Sequence, residues 1–147
     1  MPPRVRAVIV ERVPGAPEVP IPARATAGSA CFDLAAAESV ELVRGTVTLV
    51  RTGLKMRCPP GTFLEVRPRS GLSTRGVLMV NAPGTIDRDY SGEIRVPLTF
   101  LEDGKYAIST GDRIGQLRLV EDRPARFRRG RVAPVASRQG GFGSTGR

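Results

Sequence analysis

The densest grouping of polar side chains in this 147-residue chain lies at positions 81–93, NAPGTIDRDYSGE, between two apolar runs. Pro83-Gly84 sets a turn, Asp87 and Asp89 alternate with Ile86 and Arg88, and Tyr90 offers a ring face before Gly92 turns the chain back. A hairpin equipped in this way places a carboxylate base beside a ring that can support a planar or sugar ligand. The chain contains no His, which removes the commonest general acid or base near neutral pH and every His-dependent triad. Proton abstraction must fall to a carboxylate or, failing that, to Tyr, Cys or Lys. Paired Asp residues in a turn often only hydrogen-bond nearby backbone N–H groups. That reading suits Asp89, whereas Asp87 follows the apolar Ile86 and is the better candidate for a partly buried base; spacing alone does not choose between them.

A second grouping closes the chain at 140–147, GGFGSTGR. Glycines permit the positive φ angles that line up N–H groups around an anion, and Ser144, Thr145 and Arg147 add donors. The segment satisfies G-x-G-x-x-G and nearly satisfies the P-loop pattern, but both fail on context. A dinucleotide fingerprint joins a strand to a helix, a P-loop needs Lys then Ser or Thr opening a helix, and here Arg147 is the last residue. Taken alone, the bland reading is a frayed end; taken with the hairpin, it is a lid for a ligand carrying phosphate and a ring.

The elements that position these groups are short. Runs rich in Val, Ile, Leu and Thr recur between Gly and Pro at 5–10, 47–54, 62–66, 76–80, 94–101 and 113–120. This spacing predicts an all-β sandwich or closed barrel. A sustained helical period is missing, although 35–39 or 71–75 could form one helical turn. The length is that of one domain with a real core, divided as residues 1–135 for the β domain and 136–147 for the lid.

Composition narrows the class further. The hydrophobic share, 40%, is ordinary, no run approaches a membrane span, and the first residues lack the apolar stretch of a signal peptide, so the expected location is the cytoplasm. Two cysteines, Cys31 and Cys58, are too few for a disulfide framework and, without His, offer no zinc-ligand set. They read as small reduced apolar residues. The net charge of +9 points to anionic partners, and of 23 basic residues all but Lys55 and Lys105 are Arg. Arg suits bidentate phosphate recognition, though a coding bias would give the same composition. A basic run, Arg123, Arg126, Arg128, Arg129 and Arg131, reads as a solvated connection. Nucleic-acid binding there is the weaker alternative, since no aromatic platform interleaves beyond Phe127.

Three further segments join the hairpin and the tail: AGSACFDL at 27–34, PRSGLS at 68–73 and GDRIGQL at 111–117. In order, the five resemble the five motifs of the trimeric dUTP pyrophosphatases, the dUTPases. One short match is common by chance, but five in sequence are not. The resemblance implies a jelly-roll-like distorted barrel, a homotrimer, and sites at subunit boundaries closed by the tail. It also implies hydrolysis of dUTP to dUMP and pyrophosphate with Mg²⁺, a reaction that limits uracil incorporation into DNA and supplies dUMP for dTMP synthesis.

The implied roles fall on particular residues. Asp87 matches the general base that activates water, and Asp33 the aspartate that holds Mg²⁺ through water. Arg69, Ser70 and Gly71 match the phosphate-contacting segment, to which Gln116 adds a neutral donor. Asn81 assists main-chain reading of uracil, Tyr90 packs beneath the deoxyribose, and Thr85, Ile86 and Arg95 line the pocket, Arg95 being open to a second reading as an exposed strand residue. In the tail, Phe142 would stack on uracil while Gly143 and its neighbours close on the phosphates. This chain departs from the family pattern in three places: Arg138 stands one residue nearer the glycines than usual, Cys31 replaces a glycine, and Phe100 replaces a frequent Asn. Two alternatives accompany the dUTPase reading, the related dCTP deaminases of the same fold and a regulatory binding module using the Arg123 to Arg131 segment.

Overall fold

The computed structural model describes residues 5–134, 140 and 141. Eleven strands and one helical turn make up its regular structure: β1 (Ile9–Arg12), β2 (Phe32–Ala35), β3 (Val40–Val43), β4 (Thr48–Arg51), β5 (Leu54–Arg57), β6 (Thr62–Arg67), α1 (Ser70–Ser73), β7 (Val77–Met79), β8 (Gly84–Ile86), β9 (Arg95–Phe100), β10 (Lys105–Ile108) and β11 (Arg113–Glu121). The all-β expectation holds. One sheet has the order β2-β11-β6-β8 and a second the order β4-β9-β7, while β1-β5 and β10-β3 form two-stranded ribbons. Every strand pairing is antiparallel, so the strands close a jelly-roll-like barrel around one core.

Alternation explains which faces meet. In β6, Thr62, Leu64 and Val66 are buried while Phe63, Glu65 and Arg67 are half-buried; in β9, Val96, Leu98 and Phe100 point inward, as period-two side-chain placement requires. Leu64, Val66, Val96, Leu98 and Phe100 join Leu34, Val50, Val77, Met79, Ile114 and Leu117 in one continuous cluster. Phe100, the replacement for a frequent Asn, is 7% exposed and packs against Tyr106 with ring centroids 5.7 Å apart. It therefore serves the core. Cys58 is buried too, and desolvation pushes its thiol pKa up. Both cysteines are free, in keeping with the reduced reading.

Several elements differ from their sequence forecast. The run at 47–54 is two strands, β4 and β5, broken at Thr52-Gly53. Four strands were not foreseen: β2, β3, β8 and β10 have three or four residues each, too short to display a period. In β2 consecutive residues Leu34 and Ala35 are both buried, so no alternation exists to read. The helical turn forms at Ser70–Ser73, near 71–75, but not at 35–39.

The outward face of the β4-β9-β7 sheet is unusually apolar. Leu49 lies opposite Pro97, Leu78 opposite Thr99, and Val80 donates its N–H to the Pro97 carbonyl. Leu49, Leu78 and Val80, with Val47 and Leu101, are each about half exposed. Isolated exposed leucines are ordinary, but a contiguous patch marks a surface that something covers.

The β4–β5 turn, which leads from this sheet to the β1-β5 ribbon, is crowded. Gly53 has φ of +66°, and a Cβ there would stand 2.9 Å from the Ala16 Cβ and 3.0 Å from the Ala37 Cβ. Thr52, fully buried, donates its hydroxyl to the Ile94 carbonyl at 2.6 Å. Gly53→Ala is expected to lower the unfolding free energy by about 1–3 kcal/mol through the left-handed φ and the crowding together. Urea unfolding of the two proteins checks this, and an unchanged midpoint would show that the turn is not required.

Candidate active site

The register of the four-stranded sheet gathers one set of polar residues. Gln116 on β11 lies opposite Asp33 on β2 and opposite Arg67 on β6, and a register shift between Arg113 and Gly115 accompanies its placement. Past Arg67 the chain turns through Pro68, whose carbonyl accepts the Gln116 side-chain amide at 2.8 Å. Asp33, Arg69, Ser70, Gly71 and Gln116 then line a pocket of about 470 Å³ together with Cys31. Three segments far apart in sequence thus meet because their strands are neighbours.

Charge in this pocket is arranged around Asp33. Arg69 Nε lies 3.2 Å from one carboxylate oxygen and Arg113 Nη1 lies 3.3 Å from the other. Arg69 also donates to the Arg113 carbonyl at 3.3 Å. Partly exposed ion pairs of this kind contribute little to stability; their effect is to hold two guanidinium groups at Asp33, of which that of Arg69 lines the pocket. Arg113 was not singled out as a site residue from sequence, although its segment was. Its distance of 80 positions from Asp33 carries no local signal.

The hairpin forms a second pocket. Asn81, Thr85, Ile86, Asp87, Tyr90, Glu93 and Arg95 line about 330 Å³, with Leu49, Ile94 and Pro97 completing its wall. Two carboxylates face it, and their surroundings differ sharply. Glu93, whose side chain is 9% exposed, takes Arg51 Nε on both oxygens at 3.1 Å, the Gly53 N–H at 2.9 Å and Arg95 Nη2 at 3.5 Å. Asp87 has no side-chain hydrogen bond among the described residues and is exposed. The expectation of a partly buried Asp87 is therefore not met within one chain, because its hairpin faces outward. Asp89 likewise shows no cap to nearby backbone among the described hydrogen bonds; the local turn is held by the Tyr90 N–H on the Asp87 carbonyl at 3.1 Å. Arg95 is exposed and yet lines the pocket, so both of its readings apply.

The two pockets lie toward opposite ends of β6. Antiparallel pairing sets Val66 against Gly84 and Leu64 against Ile86, so the chain beyond Ile86 heads toward the Thr62 end. Arg69 to Gly71 follow the Arg67 end. Asp87 follows Ile86 toward the level of Phe63, so at roughly 3.3 Å per residue it stands about 13 Å along the strand direction from the Arg67 end, beyond which the chain turns to Arg69.

Arg138, Phe142 and Gly143 lie outside the described residues. Arg123, Arg126, Arg128, Arg129 and Arg131 are exposed, without ion pairs among the described residues, and Phe127 beside them is exposed as well. Among the described residues no group of three or more His, Cys, Asp or Glu could by itself hold a metal ion, and no helix is long and apolar enough to cross a membrane.

Comparison with known proteins places this architecture. The dUTPase family model matches residues 17–146. The chain is 46% identical over 142 residues to a deoxyuridine 5'-triphosphate nucleotidohydrolase of Anaeromyxobacter sp. strain Fw109-5, covering 89% of this chain and 90% of that one. It is 42% identical over 130 residues to the enzyme of the same name from Solibacter usitatus, covering 88% of each. Among solved structures, the dUTPase of Streptococcus mutans superposes with a TM-score of 0.74 at 27% identity over 80% of this chain and 98% of that one. A staphylococcal bacteriophage 80alpha dUTPase solved with dUpNHpp gives 0.85 at 21% identity, over 97% and 99%. A dUTPase variant from phage phi11 of S. aureus, described as coordinating a structural Mg(II) ion, gives 0.75 at 19% identity, over 84% and 96%. With five motifs in order in the sequence, an antiparallel barrel that brings residues of the first four to two pockets, and a family match over most of its length, the chain belongs to the dUTPase family and is a dUTP nucleotidohydrolase.

Proposed function

We propose that the hydrolysis of dUTP proceeds in a composite site, with the nucleoside in the hairpin pocket of one copy and the triphosphate in the Asp33–Arg69 pocket of another. The observation that carries this reading is the separation of the two pockets to opposite ends of β6. Asp87 is the general base that takes the proton of the attacking water. Of the two carboxylates lining its pocket it is the one with free oxygens, Glu93 being occupied by Arg51, Arg95 and Gly53. Closure of a second copy over the exposed hairpin would supply the burial that a single chain leaves out.

The nucleoside lies among Asn81, Thr85, Ile86, Tyr90 and Arg95. Arg69, Ser70, Gly71 and Gln116 bind the phosphates, neutralising charge that develops as the α-phosphorus is attacked. Mg²⁺ suits the donor set: this ion keeps several waters and needs only one or two carboxylates besides substrate phosphates, and Asp33 is the one carboxylate in that pocket. When bound it supplies charge neutralisation of the triphosphate, with Asp33 holding its water shell. Segment 136–147 is the lid, with Phe142 over uracil and Gly143 and Arg138 toward the phosphates.

A homotrimer is the assembly that fits these requirements. The half-exposed apolar face formed by Leu49, Leu78 and Val80 adjoins the hairpin pocket through Leu49 and Pro97. Covering it with another copy would remove apolar surface from water and bring a second chain to the hairpin.

Three outcomes are expected. Asp87→Asn should release pyrophosphate from dUTP about 10²- to 10⁴-fold more slowly while circular dichroism stays that of the parent; undiminished turnover would remove Asp87 from the role of base. Asp87→Asn and Arg69→Ala chains, each inactive alone, should regain activity when unfolded together and co-assembled, since some boundaries then carry both intact halves. Absence of recovery despite mixed oligomers would place both halves in one copy. Deletion of 136–147 should lower kcat/KM for dUTP by at least about tenfold with the melting temperature kept, and an unaffected kcat/KM would dismiss the lid.

A further inference from the structure

We propose that Gly92 and Glu93 are positioning residues that set the Tyr90 ring and the Arg95 guanidinium, and through them the preference for a deoxyribose over a ribose nucleotide. The inference rests on the reading of the hairpin pocket as the nucleoside site. It starts from a crowding. Tyr90 folds back over the two residues that follow it, and its hydroxyl donates to the Glu93 carbonyl at 2.9 Å. A Cβ on Gly92 would lie 2.5 Å from the Tyr90 Oη and 2.7 Å from Cζ. Nothing but glycine fits beneath the ring in this pose, and the obstructing atoms belong to the rigid end of an aromatic side chain. The ring is thus held from below by the backbone of 92 and at its tip by the carbonyl of 93.

Glu93 fixes that carbonyl. Its nearly buried carboxylate spans the β4–β5 turn and the start of β9: Arg51 Nε contacts both oxygens at 3.1 Å, the Gly53 N–H reaches one at 2.9 Å, and Arg95 Nη2 lies 3.5 Å from the other. The Arg51 main chain is itself fixed, its backbone N–H donating to a Glu38 carboxylate oxygen at 2.7 Å. The neighbouring Ile94 is clamped by the same turn, its N–H on the Leu54 carbonyl and its carbonyl accepting from Thr52. The C-terminal leg of the hairpin is therefore bolted to the barrel at 93 and 94, immediately beside the pocket that Tyr90 and Arg95 line. Glu93 is the nearly buried member of this cluster and the two arginines are partly exposed, so removing its charge lets both guanidinium groups turn toward solvent and loosens the leg. A looser Tyr90 ring excludes an additional hydroxyl less well. Bonds to charged groups of this kind convert to roughly ten- to hundredfold in an equilibrium.

Steady-state hydrolysis of dUTP and UTP by the full chain tests the assignment. Glu93→Gln should raise KM for dUTP about tenfold with kcat changed far less, and should lower the ratio of kcat/KM for dUTP over UTP by about tenfold or more. Glu93→Asp should recover part of that ratio, and Gly92→Ala should lower it without any change of charge. If Glu93→Gln fails to fold, Gly92→Ala and Arg51→Met carry the same measurement. Tyr90→Ala separates this inference from the reading beneath it. If Tyr90→Ala leaves the dUTP-to-UTP ratio intact, the hairpin pocket is not the nucleoside site and both fall. If Tyr90→Ala erodes the ratio while Gly92→Ala and Glu93→Gln lower only the melting temperature, the pocket stands and the positioning role is overturned.

Discussion

The antiparallel pairing of β6 with β11 on one side and β8 on the other is the constraint from which the site follows. A strand with two neighbours has two ends, and each end here delivers chemistry. At the Arg67 end, the ladder sets Gln116 between Asp33 and Arg67 and launches the turn that carries Arg69 to Gly71. At the other, β8 leads out to Asp87 and Tyr90. Because β8 runs opposite to β6, the two groups diverge, and in the proposed reading the catalytic inventory of one chain is divided. Assembly is then a condition of chemistry in this reading, not an accessory to it.

Electrostatics distinguishes carboxylates that sequence presents alike. Asp33 carries a guanidinium on each oxygen, Glu93 is occupied by two arginines and a backbone N–H, and Asp87 is bare among the described residues. The first arrangement gathers cationic donors where a polyanion would sit, with the carboxylate keeping Arg69 and Arg113 from folding away. The second is structural glue at the hairpin root. The third has all its lone pairs free among the described residues, and this difference in partners, more than any difference in residue type, is what favours Asp87 as the proposed base and Glu93 as scaffold.

The all-β class and the six longer apolar runs were legible because alternation and Gly or Pro punctuation persist over five or more residues. The short strands were not, since β8 has three residues and β2 buries neighbouring side chains. Of the candidate site, Asp33, Arg69, Gln116, Asn81, Asp87 and Tyr90 were legible as members of ordered motifs, and each stands at a pocket wall. Glu93 escaped because its partners Arg51 and Gly53 stand 42 and 40 positions away, a pairing that only the packing of the β4–β5 turn against the hairpin creates. Asp87 was forecast as partly buried from the apolar Ile86 before it, but one apolar neighbour on a three-residue edge strand does not turn a hairpin tip inward.

The exposed apolar face adds a final step. Leu49 and Pro97 belong both to that face and to the wall of the hairpin pocket, so any copy that covers the face also approaches that pocket. Contiguous apolar surface favours burial without direction, whereas the paired guanidinium groups around Asp33 are directional. Together they would let hydrophobic contact hold two copies and let charge decide where the triphosphate lies between them. In such an arrangement the hairpin root at Glu93 bears both loads, because it joins the strand that carries Pro97 to the ring that faces the sugar.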